Sequence, residues 1–287
     1  MIPKIDYYMF TELEDALRFL DMNPDSKILS GGTDLVVQMR SGKTKIRKIV
    51  DISRINDLKY IREDRDSIKI GPLTTIEELK NSLIIEKWAP PLWRAAKEFG
   101  TWHVRNIATI GGNICNASPA ADTVPPLITL KSSLVLTSIR DKRKILVEDF
   151  FRGPGETVIE GREILTEIVI PKLDGEWSFS FIKLGKRMGH ILSIVSVAAG
   201  LMIDDERIED VIVSLGSVAP TPIRSKSVEE YLKGRRASIE NIDEASLQVV
   251  KDVKPISDVR ASAEYRIEMS KVLVRRALRE CLKGLKS

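Results

Sequence analysis

Apolar residues recur at helical spacing at Leu13, Ala16, Leu17 and Leu20, and Thr11-Glu12-Leu13-Glu14 ahead of them reads as the capping box of that helix. Asn23-Pro24-Asp25-Ser26 ends it, residues 27–30 make a short apolar strand, and Leu35, Val36 and Met39 open a second helix. The first fifty residues therefore predict a strand–helix–strand–helix–strand unit. Strand patterns at 48–52, 67–73, 133–138 and 163–170 then alternate with helices, one opened by the capping box Thr75-Ile76-Glu77-Glu78. Pro90 and Pro91 precede another, through Leu92, Ala95, Ala96 and Phe99, with Gly100 where a C-cap is expected. The composition shifts near Leu173-Asp174-Gly175-Glu176. Beyond it, strands are predicted at 178–184, 194–203 and 211–215, and helices at 225–233, 243–253 and 262–283. The last carries Tyr265, Met269, Val272, Leu273 and Ala277 near one face, a stripe that reads as core.

Composition narrows the class without naming a function. A chain of 287 residues has room for one large domain or two to three smaller ones. Lys and Arg number 45 against 41 Asp and Glu, and the basic residues are scattered rather than gathered in a stripe, which argues against a nucleic-acid surface. Met1-Ile2-Pro3-Lys4-Ile5-Asp6 lacks the pattern of a secretory signal, and no stretch is apolar for long enough to span a membrane. A cytoplasmic protein with reduced thiols is the expectation. Cys115 and Cys281 lie far apart and the histidines are only His103 and His190, too few for a cysteine-ligated cluster or a zinc set within the chain.

The candidate chemistry lies in two double glycines. In Lys27-Ile28-Leu29-Ser30-Gly31-Gly32-Thr33-Asp34, a strand runs into Gly31 and Gly32 and a helix opens beyond them; in Thr109-Ile110-Gly111-Gly112-Asn113, the glycines stand between an apolar approach and a polar exit. Residues without a Cβ let a bound group reach backbone N–H groups, which together form an anion-binding nest. Both corners suit a phosphate-bearing cofactor. Ser41-Gly42-Lys43-Thr44 resembles the end of a P-loop, but Val37 stands where that motif needs glycine, so it reads as a turn. No GxGxxG follows a strand, and neither histidine stands in a nucleophile motif.

The stretch SGGTDL at Ser30, followed by ATIGGNICNASPAADTVPPL from Ala108, resembles the FAD-binding medium subunit of molybdenum hydroxylases, the group that includes carbon monoxide dehydrogenase and the xanthine dehydrogenases. The likeness continues through Ile170-Pro171, Phe181-Ile182-Lys183, Val218-Ala219-Pro220-Thr221-Pro222-Ile223-Arg224 and Pro255-Ile256-Ser257-Asp258-Val259-Arg260. It implies an α+β fold. An FAD-binding domain of two α/β subdomains (1–55 and 56–173) of the vanillyl-alcohol-oxidase-like, PCMH type would precede a C-terminal domain (174–287) of antiparallel sheet and helices.

The same resemblance assigns roles. Leu29, Ser30, Gly31, Gly32, Thr33 and Asp34, with Leu35 and Ala108 beside them, would hold the FAD pyrophosphate and neighbouring sugar together with Thr109, Gly111, Gly112 and Asn113. Asn116, Ala121 and Asp122 would line the groove. Asp122 either accepts hydrogen bonds from cofactor hydroxyls or caps a following helix. Phe99 is either a core or lid aromatic or a ring beside the isoalloxazine. Leu165 and Lys183 match later flavin-lining positions, Lys183 either stabilising charge on reduced flavin or facing solvent.

The implied partners are an iron–sulfur small subunit and a molybdopterin-binding large subunit, in a dimer of heterotrimers, with FAD linking the clusters to a terminal acceptor. With two distant cysteines, the chain excludes the cluster-bearing insertion of one family branch. Two other readings stand beside this one. A self-sufficient FAD oxidase or reductase of related fold would draw on His103 or Cys115, and a non-enzymatic assembly subunit would have degenerate glycine loops.

Overall fold

Short apolar strands alternating with amphipathic helices favour parallel pairing, and the first unit is such a sheet. In the computed structural model, which describes residues 5–42, 46–186 and 192–286, it contains β1 (Asp6–Met9), α1 (Leu13–Met22), β2 (Lys27–Leu29), α2 (Leu35–Arg40) and β3 (Lys48–Asp51). The strand order is β1-β3-β2, both pairings parallel. Ala16, Leu17 and Leu20 of α1 pack with Val50 of the central strand. The Thr11 capping box does not form: Glu12 is the N-cap without a side-chain bond, and Glu14 pairs with Arg18 one turn on. Because β2 and β3 run the same way, Ser30 and the first glycines leave at the sheet's C-terminal edge, where such units place ligands. Gly42 sits in a turn at φ +69°, while Lys43 and Thr44 of the SGKT segment fall outside the described residues.

The second unit opens with β4 (Ile61–Glu63) and β5 (Ser67–Ile70). Six short helices follow: α3 (Ile76–Lys80), α4 (Leu83–Trp88), α5 (Pro90–Lys97), α6 (Trp102–Arg105), α7 (Ile110–Cys115) and α8 (Val124–Thr129). Then come β6 (Ser133–Thr137), β7 (Lys142–Leu146), β8 (Phe151–Gly153), β9 (Glu156–Thr157) and β10 (Ile164–Pro171). Its sheet has the order β4-β5-β10-β6-β7 with antiparallel pairings. The Thr75 capping box forms as predicted. The strand expected at 67–73 stops at Ile70, because Gly71 packs on the Leu58 carbonyl, where a Cβ would come within 2.3 Å. Gly100 has φ +40° but lies two residues past the actual cap of α5, Glu98.

In the third unit β11 (Trp177–Leu184), β12 (Val195–Asp204), β13 (Arg207–Gly216) and β14 (Ile223–Arg224) form an antiparallel meander, covered by α9 (Lys226–Leu232), α10 (Ile239–Gln248) and α11 (Ala263–Lys286). α10 begins four residues before the expected 243, because the Ser238 side chain caps it by accepting the Asn241 N–H. The buried face of α11 runs through Arg266, Ser270, Leu273, Val274, Ala277, Leu278 and Cys281, while Tyr265 is 46% exposed and lies off the stripe. The whole chain is α+β. No helix among the described residues is long and apolar enough to cross a membrane.

All six residues of α8 are buried, and a hydroxyl network ties this helix to the meander. Thr129 Oγ1 and Ser214 Oγ are 2.6 Å apart, Ser214 donates to the Pro125 carbonyl at 2.6 Å, and Thr129 donates to the Ala198 carbonyl at 3.2 Å. Thr129→Val keeps the shape and leaves these groups short of a partner, so we expect a loss of about 1–3 kcal/mol. Urea unfolding followed by tryptophan fluorescence checks this; an unchanged midpoint would show that the network contributes nothing.

Candidate functional site

The two glycine corners meet. A Cβ on Gly31 would lie 2.1 Å from the Ile107 carbonyl oxygen, so the first corner packs directly on the chain entering the second. Ser30 Oγ and Thr109 Oγ1 are 3.1 Å apart, and Gln38 Nε2 donates to Asn116 Oδ1 at 3.1 Å. A Cβ on Gly111 would meet Pro72 Cβ at 2.5 Å, and one on Gly112 would meet the Thr109 and Ser30 hydroxyl oxygens at 2.9 and 3.0 Å. Gly32 is left-handed at φ +71°, which turns the chain from β2 toward α2. Close protein packing, and not only room for a ligand, therefore requires these glycines.

Between the corners lies a cleft of about 820 Å³, within the range of small-molecule sites. Its two sides differ in hydrogen bonding. At the second corner the amides are spent: Ile110 N–H donates to Thr74 O, Gly111 to Pro72 O, Gly112 to Thr109 Oγ1 and Asn113 to Thr109 O. At the first, the N–H groups of Gly31, Gly32, Thr33, Asp34 and Leu35 find no acceptor among the described residues. The amides without an acceptor among the described residues are thus those of residues 31–35, while α7 with its Thr109 cap forms the side opposite.

Fifteen of the eighteen residues singled out from the sequence line this cleft: Leu29 through Leu35, Phe99, Ala108, Thr109, Gly111, Gly112, Asn113, Asn116 and Leu165. Ala121, Asp122 and Lys183 lie behind the wall. Lys183 is buried, not solvent-facing; its Nζ donates to Asp122 Oδ2 at 2.6 Å and to the Glu98 carbonyl at 3.2 Å. Ser193 donates to the other Asp122 oxygen at 2.5 Å. Asp122 caps no helix, since Thr123 is the N-cap of α8. Burial pushes the Asp122 carboxyl up from its ordinary value, against the pull of the Lys183 ammonium and the Ser193 hydroxyl. His190 falls outside the described residues.

Residues 3–173 match the family model described as the FAD binding domain in molybdopterin dehydrogenase. The chain belongs to that family. Residues 180–281 match the CO dehydrogenase flavoprotein C-terminal domain. The glyceraldehyde dehydrogenase medium chain of Sulfolobus acidocaldarius is 32% identical over 97% of this chain and 98% of the relative. The xanthine dehydrogenase FAD-binding subunit of Escherichia coli O157:H7 is 31% identical over 98% and 97%. A carbon monoxide dehydrogenase structure from Hydrogenophaga pseudoflava superposes with TM-score 0.94 at 27% identity, covering 98% of each chain.

The cofactor of this FAD-binding family member is FAD, and the cleft's own features fit it. Five amides without an acceptor among the described residues suit a diphosphate, and Phe99, Ile28, Leu73 and Leu165 give apolar walls for rings. At the far end, Ser26 Oγ is buried without a hydrogen-bond partner among the described residues, a polar group available to a ligand. Sequence reasoning missed Ser26, Gln38 and the wall at 159–164. Gly161 closes that end: a Cβ there would meet the Pro24 carbonyl at 2.5 Å, a contact that no local motif announces. Cys115 also lines the cleft, its thiol pushed up to about 12 by burial, which makes it a poor nucleophile.

Gly31→Ala and Gly111→Ala should strip FAD from the protein and destabilise it by about 1–3 kcal/mol, because backbone or proline atoms occupy the added methyl's place. Gly112→Ala should do less, since hydroxyls can rotate away; flavin absorbance per chain ranks the three, and equal retention would contradict the packing account.

Glu163, at the cleft wall, supplies a pH test. Burial opposes its ionisation, but Arg143 Nε at 2.6 Å and the Glu160 N–H at 2.8 Å prevail and hold its pKa below the ordinary value. The carboxylate's contribution is then complete above the unfolded value of about 4.3 and is lost as pH falls through the folded one. Glu163→Gln should flatten stability against pH on that acid limb; an unchanged slope in urea titrations would contradict it.

Proposed function

We propose that this chain is the electron-transferring FAD subunit of a heterotrimeric molybdenum hydroxylase. Electrons would arrive from iron–sulfur clusters on a small partner subunit and leave to a terminal acceptor, while a molybdopterin-bearing large subunit hydroxylates the substrate. The observation that carries the reading is the union of both glycine corners over one cleft. Support for the assembly comes from family membership along the chain's length, in a group whose relatives are named as medium chains and FAD subunits.

FAD, when bound, accepts electrons singly and gives them up in pairs, and the protein supplies placement and electrostatics. The amides of Gly31 to Leu35 would hold the diphosphate, and the Thr109–Asn113 shelf with Asn116 would fix it from the opposite side. Phe99 and Leu165 would bound the ring system and keep water from it. Asp122 and Lys183 would act through the ion pair that anchors the Glu98 carbonyl beside Phe99. Residues 1–55 and 56–173 would form the two halves of the FAD domain and 174–287 the C-terminal domain, in a cytoplasmic dimer of heterotrimers.

A self-sufficient oxidase gains nothing from Cys115, whose thiol is held protonated. The test is purification of the tagged chain from its own cells. The reading expects a yellow protein that releases FAD on denaturation and brings with it polypeptides carrying molybdenum and iron–sulfur clusters. A flavin-loaded chain that turns over a substrate alone, without those metals, would replace it with the oxidase.

A further inference from the structure

One end of the cleft is closed by a turn that belongs to no regular element. Residues 158–163 leave β9 and return into β10, and Ile159, Glu160, Gly161 and Glu163 line the cleft. One carboxylate shapes the turn. Glu163, 8% exposed, accepts the Glu160 N–H at 2.8 Å, while its own N–H donates to the Glu160 carbonyl at 2.9 Å. Arg143, on the edge strand β7, donates to the two Glu163 oxygens at 2.6 and 2.8 Å and to the Val158 carbonyl at 2.8 Å. A single guanidinium thus fastens both ends of the turn.

The turn also reaches across to the first unit. Gly161 seats on the Pro24 carbonyl, and Arg162 donates to Asp21 of α1 at 3.2 Å, the same carboxylate that accepts from Arg140 at 3.3 Å. Exposed pairs of the Arg162 kind contribute little. The Arg143 fork is the stronger tie, because without it the Glu163 carboxylate would be left unpaired away from water.

β2 leads from this closed end toward the amides of Gly31 to Leu35, which find no acceptor among the described residues. Ser26 and Gly31 are five residues apart, roughly 15 Å of extended chain. The diphosphate donors therefore stand well short of the turn, with space for a nucleoside between. On the bank facing that space, Ser26 Oγ is buried without a hydrogen-bond partner among the described residues.

We infer that the turn at 158–163 closes on the adenosine half of FAD and makes the site select the dinucleotide over FMN, with Arg143 as its positioning residue. The inference rests on the FAD reading of the cleft and adds to it the element that measures the ligand's length. An FMN phosphate held by the amides of 31–35 leaves the closed end empty, whereas FAD fills it. Arg143 touches no ligand; it keeps the wall fixed, so little order is lost when the second nucleotide binds. Lysine cannot replace it fully, because an ammonium lacks the planar fork that serves Glu163 and Val158 together.

The test uses the full-length chain stripped of flavin, as wild type, Arg143→Met, Arg143→Lys and the remote control Thr129→Val. Each is titrated calorimetrically with FAD and with FMN, and its unfolding midpoint is recorded. Arg143→Met should weaken FAD at least tenfold and FMN less than twofold, and Arg143→Lys should fall between it and wild type. Thr129→Val should lower the midpoint and leave the ratio of the two affinities as in wild type. In the wild-type chain, amide hydrogen exchange at 158–163 should slow at least tenfold with FAD and keep the flavin-free rate with FMN, a readout that needs no variant to fold. Equal losses of FAD and FMN in Arg143→Met, equal affinity of the wild type for both, or protection of the turn by FMN would overturn the inference and leave the FAD reading standing. A wild-type chain that binds neither flavin overturns both.

Discussion

The seating of Gly31 on the Ile107 carbonyl is the contact on which the architecture turns. It brings the edge of a parallel three-stranded sheet against a helical shelf that belongs to a different, antiparallel sheet. The Ser30–Thr109 hydroxyl pair and the Gln38–Asn116 bond add direction to what is otherwise a close backbone approach. No cleft exists until these surfaces have docked, so a ligand held between them stabilises the docked form by mass action. Cofactor binding and the joining of the first two units are therefore one equilibrium seen from two sides.

The third unit is not an appendage to this arrangement. β11 presents Lys183, and the segment leading into β12 presents Ser193, to the single carboxylate of Asp122, which lies between α7 and α8. A buried ion pair of this kind is poor evidence of net stability, because desolvation opposes the Coulomb gain. Its geometry is nonetheless specific: one ammonium holds both Asp122 and the carbonyl preceding Phe99. The α8 hydroxyl network makes a second tie. Movement of the meander would thus be felt at the cleft wall.

Much of this was legible in the sequence wherever one residue type answers one local demand. The Thr75 capping box, the proline start of α5 and the buried face of α1 are local patterns and formed as read. The two glycine corners were found, and they share a cleft, but the reason for their glycines was only half visible. The amides of residues 31–35 have no acceptor among the described residues, while at Gly111 a Cβ would meet Pro72. Contacts across long sequence distances leave no periodic trace. Lys183 on an alternating strand carries no mark of the Asp122 it meets, and Gly161 carries none of Pro24. Tyr265 was misplaced because α11 turns its core face along Arg266 and Ser270, polar residues that hydropathy reads as outward.

The most direct measurement is a crystal structure of the chain loaded with FAD. The account predicts diphosphate oxygens within hydrogen-bonding distance of the amides at Gly31 to Leu35, with the Ser30–Thr109 contact preserved across the cleft. A diphosphate resting elsewhere while those amides face only solvent, or a dinucleotide bound with the two corners drawn apart, would contradict it.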